Sequence, residues 1–451
     1  MYSYIPHTSS DERKMLEAIG VNSIDELFVD LKEGGCLLKD FLKIEEGLSE
    51  EEVIRKVKRL ANMNVQGVSF LGAGIYDHII PSAVTSLSSL PGFSTSYTPY
   101  QAEISQGILQ SFFEFQTMIC NLTSLPVSNA TLYDGGSAAA EAASLILSSK
   151  RGCDEIIVSS TISPFSLECI KTWIKGTGNT LVMLPEKDGV SDFDCLEGLI
   201  TNKTAGLMVQ TPNKYGFFED LTGIDSIVHS FKGLFAIYSD PLSLSIQKSQ
   251  GQWGADIAIG DTQSLGVPMA FGGPTAGYMA VSSSLMRKIP GRIVGRTVDN
   301  QGNTAYVLTL QAREQHIKRE RATSNICSNE ALISIMNVIY TSQLGFKGMK
   351  EAALQCRAKA QYLLEGLDKL SFVNIKKKDF FLEFPVEFDS SERMEKFLLG
   401  LKENGIFGGV RLYPLTKNKK DEATILVAVT EKRTKEEMDE YLEIVGRLEN
   451  E

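Results

Sequence analysis

At 451 residues, 43% hydrophobic and 22% charged, the chain has material for two or three domains and a sizeable core. Its net charge of −11 repels nucleic acid and anionic membranes at long range, and it has no run of about 18 apolar residues to span a bilayer. Seven scattered cysteines without a CxxC pair, and a start (MYSYIPHTSSDERK) lacking a basic region followed by an apolar run, predict a cytoplasmic protein with no processed leader.

The first elements, over residues 1–66, are charged and helical. Ser23 with Glu26 and Ser49 with Glu52 match the capping box, in which a hydroxyl and a carboxylate satisfy each other's backbone N–H groups. After Ser49, the positions Val53, Val57, Leu60 and Ala61 share one helix face, as expected of an arm lying on its own domain or on a partner chain.

From Val68 to Gln101 the composition turns to Gly, Ser, Pro, Thr and Tyr, which predicts loops rather than a long helix. Tyr97, Thr98, Tyr100 and Gln101 offer hydroxyls and amides to a ligand, or simply form surface turns. His78, without a partner motif, reads as structural. Apolar residues at spacings of three and four then predict a helix over Glu103–Leu122. After it, Gly135, Gly136 and Ser137 open an Ala-rich helix, where free N–H groups at the positive helix end would cradle a phosphate.

Between Glu155 and Ser282 short apolar runs alternate with helical patterns. The runs are continuous rather than alternating, so the strands are buried on both faces and the sheet is largely parallel, an α/β architecture. Ligands of such sheets sit at the carboxyl ends of the strands, where Gln210, Thr211, Asn213 and Asp240 stand. Two long helical patterns follow Glu330. The strand FFLEFPVEF, a helix from about Glu392, the strand ATILVAVT and a last helix capped by Thr434 and Glu437 complete a small α+β region. The expected divisions are thus 1–66 (helical arm), 67–327 (large α/β domain) and 328–451 (interface helix and small domain).

The stretch DIAIGDTQSLGVPMAFGGPTAG, Asp256 to Gly277, lies where an enzyme of the aspartate aminotransferase fold would carry its chemistry. There a strand-end Asp pairs with the ring nitrogen of pyridoxal phosphate (PLP), and a Lys after the next strand forms the Schiff base. Asp240 suits the first role, but at the second stand Asp261, Thr262, Gln263 and Ser264, none with an amine to condense with an aldehyde. Lys248 is the amine nearest in sequence, and it precedes the wrong strand. The turn expected to supply a ring-stacking residue reads Ile162, Ser163, Pro164, Phe165.

These pieces, with YIPHTSSDERKMLEAIG, SFLGAGIYDHIIP, YTPYQAEISQG, NATLYDGGSAAAEAA, IGDTQSLGVPMAFGGP and LQAREQHIKRERATSNICSNEAL, resemble over nearly the whole chain one family: the glycine decarboxylase P-protein of the glycine cleavage system, in the N-terminal-half subunit of its split two-chain form. The resemblance implies the type I PLP fold and a lysine-bearing partner subunit that carries PLP covalently. It also implies a reaction in which glycine loses CO2 and its aminomethyl group passes to the lipoyl arm of H-protein. Related subunits often have His before the Pro of the ring-stacking turn, and Ser163 marks a further eroded pocket, leaving Gly135, Gly136, Ser137, Asp240 and Gln263 as its remains. The basic stretch holding Arg313 and His316 also contains Glu314 and Glu320, which argues against nucleic acid. In this fold that region runs along the dimer interface, where Arg313, Thr323, Ser324 and Asn325 would reach the phosphate of the partner's PLP. Two rival readings are a self-sufficient PLP aminotransferase or decarboxylase using Lys248, and a purely structural subunit.

Overall fold

The computed structural model describes residues 6–38, 42–95 and 99–448, in two compact units divided between Val65 and Gln66. In the first, α1 (Ser9–Ile19) begins with a capping box from Thr8 and Asp11, and α2 (Glu50–Ala61) with the expected one from Ser49 and Glu52. The expected box at Ser23 does not form. Ser23 makes no side-chain cap bond, Glu26 instead accepts from Asn22 N, and Ile24–Phe28 is a 3-10 turn too short to present a helix start. Neither α1 nor α2 has a buried residue.

In the second unit, α3 (Gln106–Thr123) precedes β1 (Val127–Ser128) and α4 (Gly135–Ser149). The alternation follows as β2 (Glu155–Ser159), α5 (Pro164–Ile174), β3 (Thr180–Leu184), β4 (Thr204–Gln210), α6 (Ile224–Ser230), β5 (Leu234–Tyr238), β6 (Ile257–Asp261) and β7 (Gly277–Val281). These strands form a seven-stranded sheet in the order β1-β7-β6-β5-β4-β2-β3, parallel from β6 to β3, with β7 antiparallel to both of its neighbours.

Both faces are covered, which is why the strands read as unbroken apolar runs. Ile156, Val158, Met208, Ala236, Ile257 and Ile259 pack against α4 and α5, while Ile157, Leu207, Val209, Phe235 and Ile237 pack against Leu221, Ile224 and Val228 on the other side. The alanines of α4 let it lie close to the sheet: a Cβ on Gly277 would meet the Ala138 methyl at 3.2 Å.

β8 (Val294–Val298) and β9 (Thr304–Leu308) form a separate antiparallel ribbon. The long helix α7 (Ala331–Leu367) is interrupted at Gly345, whose φ of 60° leaves the helical region. Beyond it lie β10 (Val373–Asn374), β11 (Glu383–Phe388), α8 (Ser391–Glu403), β12 (Val410–Arg411), β13 (Thr424–Ala428) and α9 (Lys435–Leu448). The four strands make an antiparallel sheet ordered β10-β11-β13-β12, packed through Phe384, Val386 and Leu426 on Leu363, Phe397 and Tyr441. The expected capping box opens α9: Glu437 N donates to Thr434 Oγ1 (3.1 Å) and Thr434 N to Glu437 (2.9 Å). All of this belongs to the same compact unit as the large sheet. Among the described residues no helix is long and apolar enough to cross a membrane, and none of the seven cysteines is paired.

Candidate active site

A cavity opens at the carboxyl ends of β4, β5 and β6, lined among others by Tyr76, Ser163, Gln210, Asp240, Gln263 and Glu383. The strand-end residues are there because a parallel sheet delivers every carboxyl end to one edge.

Gln263, in the place expected of a Schiff-base lysine, is 2% exposed and has its amide fully used. Its Nε2 donates to Tyr76 O (2.9 Å) and Val267 O (2.8 Å), and its Oε1 accepts from Tyr76 N at 3.0 Å. A neutral amide thus fills the position and anchors the Tyr76 segment. Tyr76 in turn donates its hydroxyl to Glu383 (2.7 Å), which also accepts from Ala73 N; burial pushes the Glu383 carboxyl up to about 7. Asp240 has one oxygen taken by Leu242 N (2.8 Å), Ser243 N (3.2 Å) and the Ser264 hydroxyl (3.0 Å), and burial raises its pKa.

The phosphate cradle is present as geometry. Gly135 starts α4, and a side chain there has no room, since a Cβ would stand 2.2 Å from the Tyr238 hydroxyl. Two of the cradle's N–H groups, however, already have side-chain acceptors. Gly135 N donates to Asp261 Oδ2 at 2.8 Å, and Ser137 N to Asp134 Oδ1 at 2.6 Å. Asp261 also accepts from Thr275 Oγ1 (2.8 Å) and Gln263 N (2.9 Å). Burial lifts its carboxyl to about 6, and the nearby charge of Asp134 adds to the rise. The phosphate of PLP would meet two carboxylates here, and the PLP aldehyde would find no amine at residue 263. The residues of this pocket do not fit PLP.

Two other amines are accounted for. Lys248 is exposed, with Nζ 4.2 Å from the centre of the Trp253 ring, and does not line the cavity. Lys214, which sequence reasoning missed, does line it, but its Nζ donates to Ser160 O (2.8 Å) and pairs with Glu186 (2.8 Å). In the ring-stacking turn, Ser163 N donates to Gln210 (2.7 Å), Pro164 opens α5 and the Phe165 ring is exposed. His78 is buried and ion-paired with Glu431 at 2.8 Å. Tyr76, Asp261 and Glu383 stand in stretches that the sequence singled out, but their roles in the pocket could not be read there, because their partners are remote in sequence.

The remaining residues lie elsewhere. Thr323, Ser324 and Asn325 line a groove beside α4: Ser144 donates to Thr323 O (2.9 Å), Ser324 Oγ accepts from Ile326 N (3.1 Å), and Ser324 bonds to Glu141, whose carboxyl burial raises to about 7. Arg313 faces inward, with its guanidinium on the carbonyls of Ile289 and Gly291 (2.6 Å for the latter), and burial lowers its pKa to about 10. Tyr100 donates to Asn329 (3.1 Å) under the Arg292 guanidinium, while Gln101 is exposed and its carbonyl accepts from Ile104 N and Ser105 N. Tyr97 and Thr98 fall outside the described residues.

The family profile described as Glycine cleavage system P-protein matches residues 2–445. The chain belongs to the glycine cleavage system P-protein family. Its relatives include the "Probable glycine dehydrogenase (decarboxylating) subunit 1" of Carboxydothermus hydrogenoformans, 45% identical over 98% of this chain and 99% of that protein, and the protein of the same name from Bacillus cereus, 45% identical over the full length of both. A crystal structure of glycine decarboxylase (P-protein) of the glycine cleavage system, in inhibitor-bound form, superposes with a TM-score of 0.88 at 36% identity, covering 99% of this chain and all of that one. A cysteine desulfurase from Escherichia coli shares the fold, with a TM-score of 0.63 at 16% identity over 89% of this chain and 98% of its own. The P-protein family member described here thus has the type I PLP fold, and the similarity to subunit 1 proteins is as the sequence motifs predict.

Proposed function

We propose that this chain is the lysine-lacking subunit of a two-chain glycine dehydrogenase (decarboxylating) and completes the active site of a lysine-bearing partner. The observation that carries this reading is Gln263: a buried, fully hydrogen-bonded amide at the strand end where the fold's chemistry needs an amine. PLP would then be held on the partner and supply the electron sink for loss of CO2 from glycine, with the aminomethyl group passing to the lipoyl arm of H-protein. What this chain supplies is surface and orientation rather than a reacting group.

An obligate heteromer accounts for the apolar side chains left in solvent. Ile104, Phe271 and Phe346 are exposed. Such surface in a soluble chain marks contact with another protein. Light scattering is expected to show one stable heteromer when this chain is mixed with the lysine-bearing subunit, and CO2 release from glycine only in the mixture. Two species that migrate as separate monomers would count against it.

The contribution across that interface is assigned to Thr323 and Ser324, whose hydroxyls follow a basic segment and precede α7. Thr323→Ala with Ser324→Ala is expected to weaken PLP retention by the assembled complex by about 1–3 kcal/mol, the range for charge-assisted bonds, with assembly intact. Titration of PLP into the apo complex reads this directly. Unchanged affinity would leave the pair with the role that the Ser144 bond to Thr323 O and the Ser324 bonds to Glu141 and Ile326 N already give them, holding the segment against α4.

A further inference from the structure

We propose that Asp261 is a built-in anion that takes the place of a cofactor phosphate at the start of α4, closing this chain's own pocket to phosphorylated ligands while keeping it ordered. The helix is long enough, at 15 residues, to present a full positive end, and that end requires an acceptor. A carboxylate 126 residues away in sequence provides one. Asp261 Oδ2 takes the Gly135 N–H at 2.8 Å and the Thr275 hydroxyl at 2.8 Å, and Oδ1 takes Gln263 N at 2.9 Å. One side chain therefore ties together the end of β6, the loop that carries Gln263, the approach to β7 and the helix start.

The donors gathered on Asp261 are those a phosphate would use: a backbone N–H of a glycine-opened helix and a hydroxyl, with the Tyr238 hydroxyl close to Gly135. The carboxylate is shorter than a phosphate and covalently tethered, so it saturates the site at any metabolite concentration. Asp134 takes Ser137 N, two positions further along the helix start, and adds a second negative charge. Removing the Asp261 carboxylate frees three donors at once, and this should convert a closed cradle into an anion site.

The test compares the full chain with its Asp261→Ala variant by equilibrium dialysis against inorganic phosphate and, separately, PLP, with circular dichroism and thermal melting to establish the fold of each. The unaltered chain is expected to bind neither at millimolar concentration, and the variant to bind both saturably, at least about tenfold more tightly, the scale of an anion at a partly buried helix start. Borohydride should still trap no PLP on the variant, because residue 263 remains an amide. Equal binding by the two chains overturns the assignment, as does absence of binding by a folded variant. Where Asp261→Ala does not fold, Asp261→Ser, neutral and shorter than the carboxylate, opens the cradle in its place, and the same criteria apply to it.

Discussion

Mixed with PLP and glycine and then reduced with borohydride, the purified chain is expected to carry a phosphopyridoxyl group on no lysine, and its CO2 release should fall at least about 10³-fold below that of the assembled complex, on the scale seen when an enzyme loses its nucleophile. The physical reason is placement. A Schiff base needs an unprotonated amine held at the aldehyde. Lys248 lies exposed over Trp253, and Lys214, although it lines the cavity, is held by Ser160 O and Glu186. Peptide mass mapping after reduction is the measurement. A tag on Lys214 or Lys248 would overturn both the reaction's assignment to a partner and the reading of Gln263 as the decisive substitution.

Glu431→Gln should cost about 3–5 kcal/mol of stability, because it leaves His78 buried without its counter-charge. Burial opposes charge on both members of the pair. The bond between them, at 2.8 Å, prevails, lowering the Glu431 carboxyl to about 2 and raising His78 above its ordinary value. The signs of the two contributions differ. That of Glu431 is present in full above the unfolded carboxylate value of 4.5 and is lost as pH falls through about 2, whereas that of His78 is present in full below 6.5 and is lost as pH rises through its raised folded value. The deficit of the variant should therefore be largest between 4.5 and 6.5 and narrow on either side. Urea denaturation of both proteins across this range is the check. A deficit below about 1 kcal/mol throughout, as for an exposed pair, would show that the charge is not held as described.

The sheet was legible in the chain because two covered faces demand uninterrupted apolar strands, and runs such as Thr204–Gln210 carry that demand in seven consecutive buried positions. Local caps were legible where donor and acceptor lie three residues apart, as at Ser49 and Thr434, and failed at Ser23, where Glu26 reached Asn22 N instead. The interruption at Gly345 was legible as well, since it falls where the first of the two long helical patterns expected after Glu330 gives way to the second. Within the pocket, the missing lysine could be read directly, but its consequences could not. Gln263 meets Tyr76 from 187 residues away, Tyr76 meets Glu383 from 307, and Asp261 meets Gly135 from 126. No local pattern encodes such pairs; they exist only once the sheet has set which loops share an edge. Arg313, read as reaching outward from a basic segment, is bound to its own chain's carbonyls because burial leaves it no solvent in which to extend.

On its proposed role, the carboxylate of Asp261 on Gly135 N also makes this chain's folding independent of cofactor supply. A ligand that binds only the native state adds RT ln(1 + [L]/Kd) to its stability, so a protein whose cradle is ordered by PLP is most robust where the vitamin is plentiful. A cradle ordered by a side chain gains nothing from that supply and loses nothing without it. On the role proposed for Asp261, the melting temperature of this chain is therefore expected not to rise when PLP is added.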